Sequence, residues 1–337
     1  MAVVFMEGFD HIALAQLSAK GWSQPSGGSV VAGRFAGQGL RTNSSVPSCY
    51  SKALPASYST LIVGFAFLPT TTDARDVLSL RNGTTAVVKV ATVVVGGVPV
   101  VRLVNASGTT LATGTTGVPA NAWTYIELKV VVSATVGTVE VRLNGASAAE
   151  CSGTGLNTGA LDIDNIGVWW VVTCLNTYDD IYVVDTSGSA PTNTWLGEVR
   201  VSTLIPNGNG ANTAWGGTGT GGFGEWDDIT AHDDDTTYVS SSTPGDRETS
   251  TLTDLSAATS TVFAVQTNLV ARKDDAGTRT IAPVVVIGGT PYDGTTTAAL
   301  SSSYADYTQL YDRLDPSGAT WTASTVNAME TGVKEIA

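Results

Sequence analysis

One stretch, residues 120–186, constrains the fold more than any other because its side chains alternate in character with a period of two. The apolar members of its first segment share one face of an extended chain: Ile126, Leu128, Val130 and Val132. The alternation returns over residues 138–143, and Asn144-Gly145 then supplies the positive φ angles of a tight turn. Such a pattern is typical of half-buried antiparallel strands, so we predict a β-sandwich.

Further β-like segments recur along the chain, separated by turn residues such as Asn82-Gly83 and Gly96-Gly97. Ser59–Leu68 is continuously apolar, which predicts a strand buried on both faces. Turns at intervals of roughly 8–12 residues, without a convincing helical pattern before residue 190, favour an all-β architecture.

The composition changes after Asp185 and divides the chain. Ser187–Thr194 is rich in Ser, Thr, Gly and Pro, so we predict a linker there between domains at 1–186 and 195–337. For the second, β-rich domain we predict a first strand at Trp195–Val201 and an extended glycine-rich loop at 206–224. The remaining segments are predicted as strands over 262–272, 279–287 and 304–311, and a helical turn at Thr325–Glu330 closed by Gly332.

Charge excludes several classes of partner. Only 14% of the residues are charged, against about a quarter in an average globular protein. Thirty acidic residues against 17 basic ones give a net charge of −13, so we expect neither nucleic-acid binding nor docking on an anionic membrane. No apolar run approaches the ~20 residues that span a bilayer. A surface this poor in charge favours interfaces, and hence a homo-oligomer.

The three cysteines, Cys49, Cys151 and Cys174, do not form a disulfide framework or a metal-binding spacing. Buried free thiols are expected, and a bridge between Cys151 and Cys174 stays open as an alternative. The first ten residues lack the basic segment of a secretory signal, so we expect a protein made in the cytosol that stays there or leaves by a route other than the general signal.

Four segments in order resemble the concanavalin A-like (laminin G-like) jelly roll: S-Y-S-T-L-I-V-G-F-A-F, W-T-Y-I-E-L-K-V, G-T-V-E-V-R-L-N-G and Y-D-D-I-Y-V-V-D. Together they cover about residues 3–186. The resemblance implies a jelly-roll sandwich for the first domain.

A second resemblance spans essentially the whole chain. The opening V-F-M-E-G-F-D-H, then W-L-G-E-V-R-V, D-D-T-T-Y-V, S-Y-A-D-Y-T-Q-L-Y and the final A-T-W-T-A-S-T-V-N-A-M-E-T-G-V-K resemble structural proteins of tailed bacteriophages. That resemblance implies a virion component that contacts other capsid or tail proteins. It also implies a multimer, with a homotrimer expected before a dimer.

Several carboxylates are candidate site residues. Asp179 and Asp180 are predicted just before a strand, where they would form a ligand or ion site at a sheet edge or simply cap a turn. Asp233, Asp234 and Asp235 are oxygen-rich in the manner of a Ca²⁺ site, although consecutive aspartates are more often a solvated turn. A glycosidase pair drawn from Glu150, Asp162 and Asp164 would need a defined separation that a sequence does not show.

Aromatic residues are the other candidates. Trp215 and Trp226 flank the glycine-rich segment, where they would stack on sugar rings, anchor a protein contact or pack under the loop. Trp169 and Trp170 are adjacent in a strand and therefore face opposite sides of the sheet.

Three functions compete. A non-enzymatic virion structural protein, decorating a capsid or forming part of a tail or fibre, agrees best with the resemblance. A carbohydrate-binding adhesin would use the same sandwich for host surface glycans, and a glycan hydrolase would need an acidic pair in a groove. Since no nucleophile–base set is arranged in the sequence, and its two histidines, His11 and His232, lie far apart, we expect no catalytic activity and no cofactor.

Overall fold

The computed structural model describes residues 2–11, 13–23, 27–42, 48–170, 174–218, 233–257, 259, 261–314 and 318–337, apart from the side chains of Ser48 and Trp170. The chain divides into two compact units, Met1–Val201 and Ser202–Ala337.

The first unit is built almost wholly of strands. In chain order they are β1 Val3–Glu7, β2 Trp22–Ser23, β3 Ser29–Ala32, β4 Gln38–Thr42, β5 Ser48–Tyr58, β6 Thr60–Pro69, β7 Arg75–Asn82, β8 Thr85–Val95, β9 Val98–Asn105, β10 Thr110–Gly117, β11 Thr124–Val131, β12 Gly137–Leu143, β13 Cys151–Leu156, β14 Ile163–Trp170 and β15 Asn176–Val184. One short 3₁₀ turn, Leu14–Gln16, interrupts them.

These strands form two antiparallel sheets. Sheet A has the order β13-β12-β11-β6-β15-β4-β3, with β1 also paired to β15. Sheet B has the order β10-β9-β8-β7-β14-β5-β2. The chain crosses repeatedly from one sheet to the other, which is the crossing pattern of a jelly roll. The changes fall between β1 and β2, β2 and β3, β4 and β5, β5 and β6, β6 and β7, β10 and β11, β13 and β14, and β14 and β15. The all-β prediction and the jelly-roll prediction for the first unit are confirmed.

The core lies between the two sheets and follows the sequence alternation. Ile126, Leu128 and Val130 of β11 are fully buried in it, and so are alternate residues of β6, β7, β9 and β14. On β6 the intervening residues Ile62 and Ala66 are also 0% exposed, so this strand is buried on both faces as its continuous apolar sequence predicts.

The boundary between the units lies after Val201, later than the linker predicted at Ser187–Thr194. Residues 195–201 belong to the first unit and form no strand, contrary to the prediction. The physical reason is that backbone amides of this segment bond to side chains and not to the backbone of a neighbouring strand. The amides of Gly197 and Val201 donate to the carboxylates of Glu127 and Asp180.

The described residues of the second unit form one five-stranded sheet and two ribbons. Its elements are β16 Pro206–Thr213, β17 Gly216–Gly217, β18 Val239–Ser240, β19 Arg247–Leu252, β20 Val265–Ala271, β21 Ile281–Ile287, β22 Thr290–Asp293, β23 Ala305–Tyr311, α1 Ala323–Asn327 and β24 Glu330–Glu335. The sheet has the order β16-β19-β24-β21-β22, and the ribbons are β17-β18 and β20-β23. In the part of this unit that the structure describes, two small apolar clusters form a core, one around Trp321 and Met329 and one around Ile281 and Val333.

Two predictions for this unit are wrong in part. The glycine-rich segment is not loop throughout, because β16 pairs with β19 over Pro206–Thr213; its residues 219–224 lie outside the described residues. Gly210 brings the backbone close to Thr249 and Glu330, and a side chain at that position would collide with both. The C-terminal turn ends at Asn327, and Gly332 lies within β24 and does not close a helix.

Among the described residues, no helix has the length and apolar character needed to cross a membrane.

Candidate functional site

Asp179 and Asp180 lie inside β15, not ahead of it, and neither is at a sheet edge. β15 is hydrogen-bonded to β6 on one side and to β4 and β1 on the other. The two residues are 3% and 1% exposed. The pairing register between β15 and β6 shifts at these residues, and Asp180 has a φ of 52°. The two carboxyl groups therefore do not follow the regular alternation of side chains between the two faces of the sheet.

Every carboxyl oxygen of this pair has a partner within the first unit. Asp179 accepts hydrogen bonds from the amides of Arg34 and Asp180, both at 2.8 Å. Asp180 accepts the amide of Val201 at 2.8 Å and lies 3.4 Å from the Arg34 guanidinium. The pair therefore fixes the turn after β3 and the segment 195–201 to the sheet.

Arg34 completes the attachment. Its side chain is 6% exposed, forms an ion pair with Glu198 and donates to the carbonyl of Val199 at 3.3 Å. Its guanidinium lies over the ring of Tyr125, 5.0 Å from the centroid. A buried guanidinium placed this way offsets part of the cost of burying two carboxyl groups.

A second set of contacts holds the same segment from β11 and β15. The hydroxyl of Tyr182 donates to Glu127, and the amides of Leu196 and Gly197 donate to Tyr182 and Glu127 at 3.3 and 2.9 Å. Arg142 lies 4.2 Å over the ring of Trp195. We call residues 195–201 the strap, since they cover the outer face of sheet A.

Burial raises the pKa of Asp179, and the neighbouring carboxyl of Asp180 raises it further. Burial also raises the pKa of Asp180, while the hydrogen bond from Val201 and the charge of Arg34 lower it. Raised carboxyl pKa values often mark catalytic acids. Here, however, the groups are enclosed by backbone amides and the strap, so they serve to hold the chain.

These pKa shifts predict the direction of a pH effect on stability. An unfolded aspartate has a pKa of about 3.9, so the folded pair binds protons more readily than the unfolded chain. The stability contributed by this pair is therefore present at low pH and is lost as the pH rises through the folded pKa values. We expect urea unfolding of the first unit to show a smaller loss of stability from pH 5 to pH 8 in Asp179→Asn than in the wild type. Equal losses in the two proteins would contradict the assignment.

Two of the three aspartates considered as a Ca²⁺ site, against the alternative of a solvated turn, bond to protein groups. Asp233 accepts the amide and hydroxyl of Thr237, both at 3.0 Å, and Asp235 pairs with Arg272 at 2.6 Å. The hydrogen bond from Arg272 lowers the pKa of Asp235. No group of three or more potential metal ligands occurs within the described residues, and His232 lies outside them.

Of the two tryptophans predicted to flank a binding loop, Trp215 packs against the cluster of Ile281, Leu300 and Val333. Its amide donates to Glu248 at 3.1 Å. Trp226 lies outside the described residues. The packed alternative is thus the one observed for Trp215. All three cysteines are free, so Cys151 and Cys174 are not bridged.

A further cluster of charged and aromatic side chains was not predicted from the sequence. On the side of sheet B that faces away from the core, Trp169 of β14 reaches across β7, where its indole nitrogen donates to Ser79 at 2.7 Å. Lys89 of β8 and Arg81 of β7 lie 5.4 and 5.8 Å from the ring centroid. We call this surface the Trp169 face; it also includes Asp76 and Arg102, which the strand register places in neighbouring positions. The sequence did contain one signal for this surface, because β7, β8 and β9 each carry a cation at a position that faces away from the core.

No family model matches the chain, and no curated protein matches it. Among solved structures, a protein of unknown function with a galectin-like fold from Bacillus subtilis is 14% identical, with a TM-score of 0.39 over 55% of this chain and 96% of that one. The carbohydrate recognition domain of Emp46p is 8% identical, with a TM-score of 0.36 over 53% and 95% of the two chains.

A heptameric SAP-like pentraxin from Limulus polyphemus is 12% identical, with a TM-score of 0.31 over 38% of this chain, which spans 64% of the pentraxin's own length. The fold assignment rests on the strand order given above and not on these similarities.

Proposed function

We propose that this chain is a non-enzymatic structural protein of a tailed-phage particle, placed on the capsid or in a tail or fibre assembly. The proposal starts from the sequence resemblance, which extends over both units. Its partners would be other virion proteins and further copies of the same chain, with a trimer expected first.

The observation that carries the proposal is that Asp179 and Asp180 bond to backbone amides and so hold parts of the first unit together. Burial raises the pKa of both carboxyl groups, and their oxygens accept the amides of Arg34, Asp180 and Val201. A glycan-cleaving pair would need one acid and one base that reach a substrate. These groups instead join β3, β15 and the strap, which is a structural role.

Apolar surface at one end of sheet B supports assembly. Val94, Val95 and Val98 lie together at the β8–β9 turn and are 45%, 54% and 45% exposed. With charged residues at only 14% of the chain, such a tip is better suited to contact with protein than with water.

Electron microscopy of the particle whose genome encodes this chain tests the proposal. We expect density for the two-sheet sandwich at repeated positions, with neighbouring copies or other virion proteins in contact with it. A symmetric cluster of three would agree with the expected trimer. If the protein is absent from the particle, or if purified protein releases oligosaccharide from host glycans, the proposal is wrong.

A further inference from the structure

The Trp169 face carries positive charge in an acidic protein. Its charged residues are Arg81, Lys89, Arg102 and Asp76, which is three cations against one carboxylate, whereas the whole chain has a net charge of −13. The face is also the outer side of one continuous sheet, since Ser79 pairs with Lys89 and Ala91 pairs with Arg102. Cations gathered on one face of an acidic chain indicate an anionic partner.

Two of these cations have no carboxylate partner. Lys89 pairs with Asp76 at 2.8 Å, but the guanidinium of Arg81 donates only to neutral acceptors, Cys49 and the carbonyl of Thr84. Arg102 makes no hydrogen bond or ion pair with any described residue, and its Nε is buried without a partner. The residues of the first unit that lie outside the description contain no Asp or Glu. Because Arg81 is only 9% exposed, its charge is held away from water without a counter-ion.

Trp169 supplies a fixed aromatic ring, over which Lys89 and Arg81 lie at 5.4 and 5.8 Å from the centroid. Its indole is held by the hydrogen bond to Ser79, so little conformational freedom remains to be lost when a ligand binds. The positions next to it on the face are small, namely Gly167, Ser79 and Ala91. A half-buried indole above a surface of small residues is suited to stacking against a flat, partly apolar ring.

We propose that the Trp169 face binds a saccharide bearing an acidic group. The sugar ring would stack on Trp169, and its carboxylate, sulfate or phosphate would pair with Arg102. The buried charge of Arg81 would add to the attraction without direct contact. The carboxylate of Asp76, which is partly exposed beside Lys89, is placed to accept a hydrogen bond from a sugar hydroxyl. This role goes beyond the structural function proposed above, and neither depends on the other.

An acidic saccharide suits the face better than a nucleic acid, which also combines rings with negative charge. A long polyanion would be repelled by the net charge of −13 on the whole chain. A single acidic group would interact mainly with the cations of the Trp169 face. Two unpartnered guanidinium groups match the charge of one or two substituents, not that of a backbone with one charge per nucleotide.

The test uses the full chain, titrated calorimetrically with galacturonic acid trisaccharide, its neutral methyl ester, 3′-sialyllactose, lactose and a heparin-derived tetrasaccharide. We expect at least one acidic sugar to bind at least tenfold more tightly than its neutral counterpart, and the binding to weaken in 0.5 M salt because salt screens charge pairs. Trp169→Ala and Arg102→Gln should each lower the affinity at least tenfold.

Trp195→Ala and Arg142→Gln are the matched controls, since they remove a similar arginine–tryptophan stack from the outer face of sheet A. They should leave the affinity unchanged. Thermal unfolding of each variant shows whether the sandwich is intact, and Arg102→Lys provides a version that keeps the charge.

Three results would overturn the proposal. One is that none of the acidic sugars binds. Another is that binding survives both Trp169→Ala and Arg102→Gln in folded protein, or that the sheet A controls lose it equally. The third is that a single-stranded oligonucleotide binds more tightly than every sugar and displaces them, which would assign the face to nucleic acid.

Discussion

Alanine in place of Asp179 is expected to lower the free energy of unfolding of the first unit by about 3 kcal/mol. Both oxygens of this carboxyl accept backbone amides, from Arg34 and from Asp180, and the residue is 3% exposed. Each buried donor left without its acceptor costs about 1–3 kcal/mol. Relief of the repulsion from Asp180 offsets part of that loss, because burial and this neighbour already raise the pKa of Asp179.

Asp164→Ala is the matched control. Asp164 also accepts one backbone amide, from Gly83 at 2.7 Å, but at an exposed position, so the loss should stay under about 1 kcal/mol. Urea unfolding of the two variants gives the comparison. If Asp179→Ala costs no more than Asp164→Ala, the pair does not hold the turn after β3 in place.

Alanine in place of Gly332 is expected to destabilise the second unit by about 3 kcal/mol or more. Gly332 lies in β24, at the centre of the five-stranded sheet, between Thr249 and Val284. A Cβ at this position would collide with the carbonyl oxygen of Glu248 and lie 2.8 Å from the Cα of Thr249. Both are backbone atoms of the neighbouring strand, so no side-chain rotation relieves the contact, and the strands must separate.

Gly216→Ala serves as its control. A Cβ on Gly216 would meet nothing closer than 3.9 Å, and the position has no positive φ, so a change under about 0.5 kcal/mol is expected. Limited proteolysis with mass analysis of residues 202–337 reports on the second unit. A Gly332→Ala protein as resistant as the Gly216→Ala protein would show that the sheet accommodates the added methyl group.

The sequence predicted the first unit well because its strands are half-buried. Ile126, Leu128 and Val130 enter the core, and the alternation of β11 and β12 reports that directly. Asp179 and Asp180 were predicted just ahead of a strand and not inside it, because two consecutive aspartates usually indicate a turn. Their burial depends on amides contributed by Arg34 and Val201, which are distant in sequence and which no local pattern reveals.

The strap was mistaken for a strand for a related reason. Residues 195–201 do alternate, but alternation shows only which side chains face the same way. Their amides bond to the side chains of Glu127, Tyr182 and Asp180, so no neighbouring strand is needed. The glycine-rich β16 was missed because glycine is rare in strands. Here it permits the close approach of Thr249 and Glu330.

The Trp169 face was only partly visible in the sequence. Trp169 could be placed on one side of its strand, but which side faced the core was not determined. Arg81, Lys89 and Arg102 become one surface only through the order β9-β8-β7-β14, which brings together residues from four strands. Strand order depends on tertiary pairing, and a residue pattern within one strand does not encode it.

Quantitative mass spectrometry of purified particles tests the central claim most directly, namely that this chain is a non-enzymatic component of a virion. The account predicts that the protein persists through gradient purification in a fixed copy number per particle, a multiple of three if the trimer is correct. Absence of the chain from particles whose capsid and tail proteins are fully recovered would contradict it.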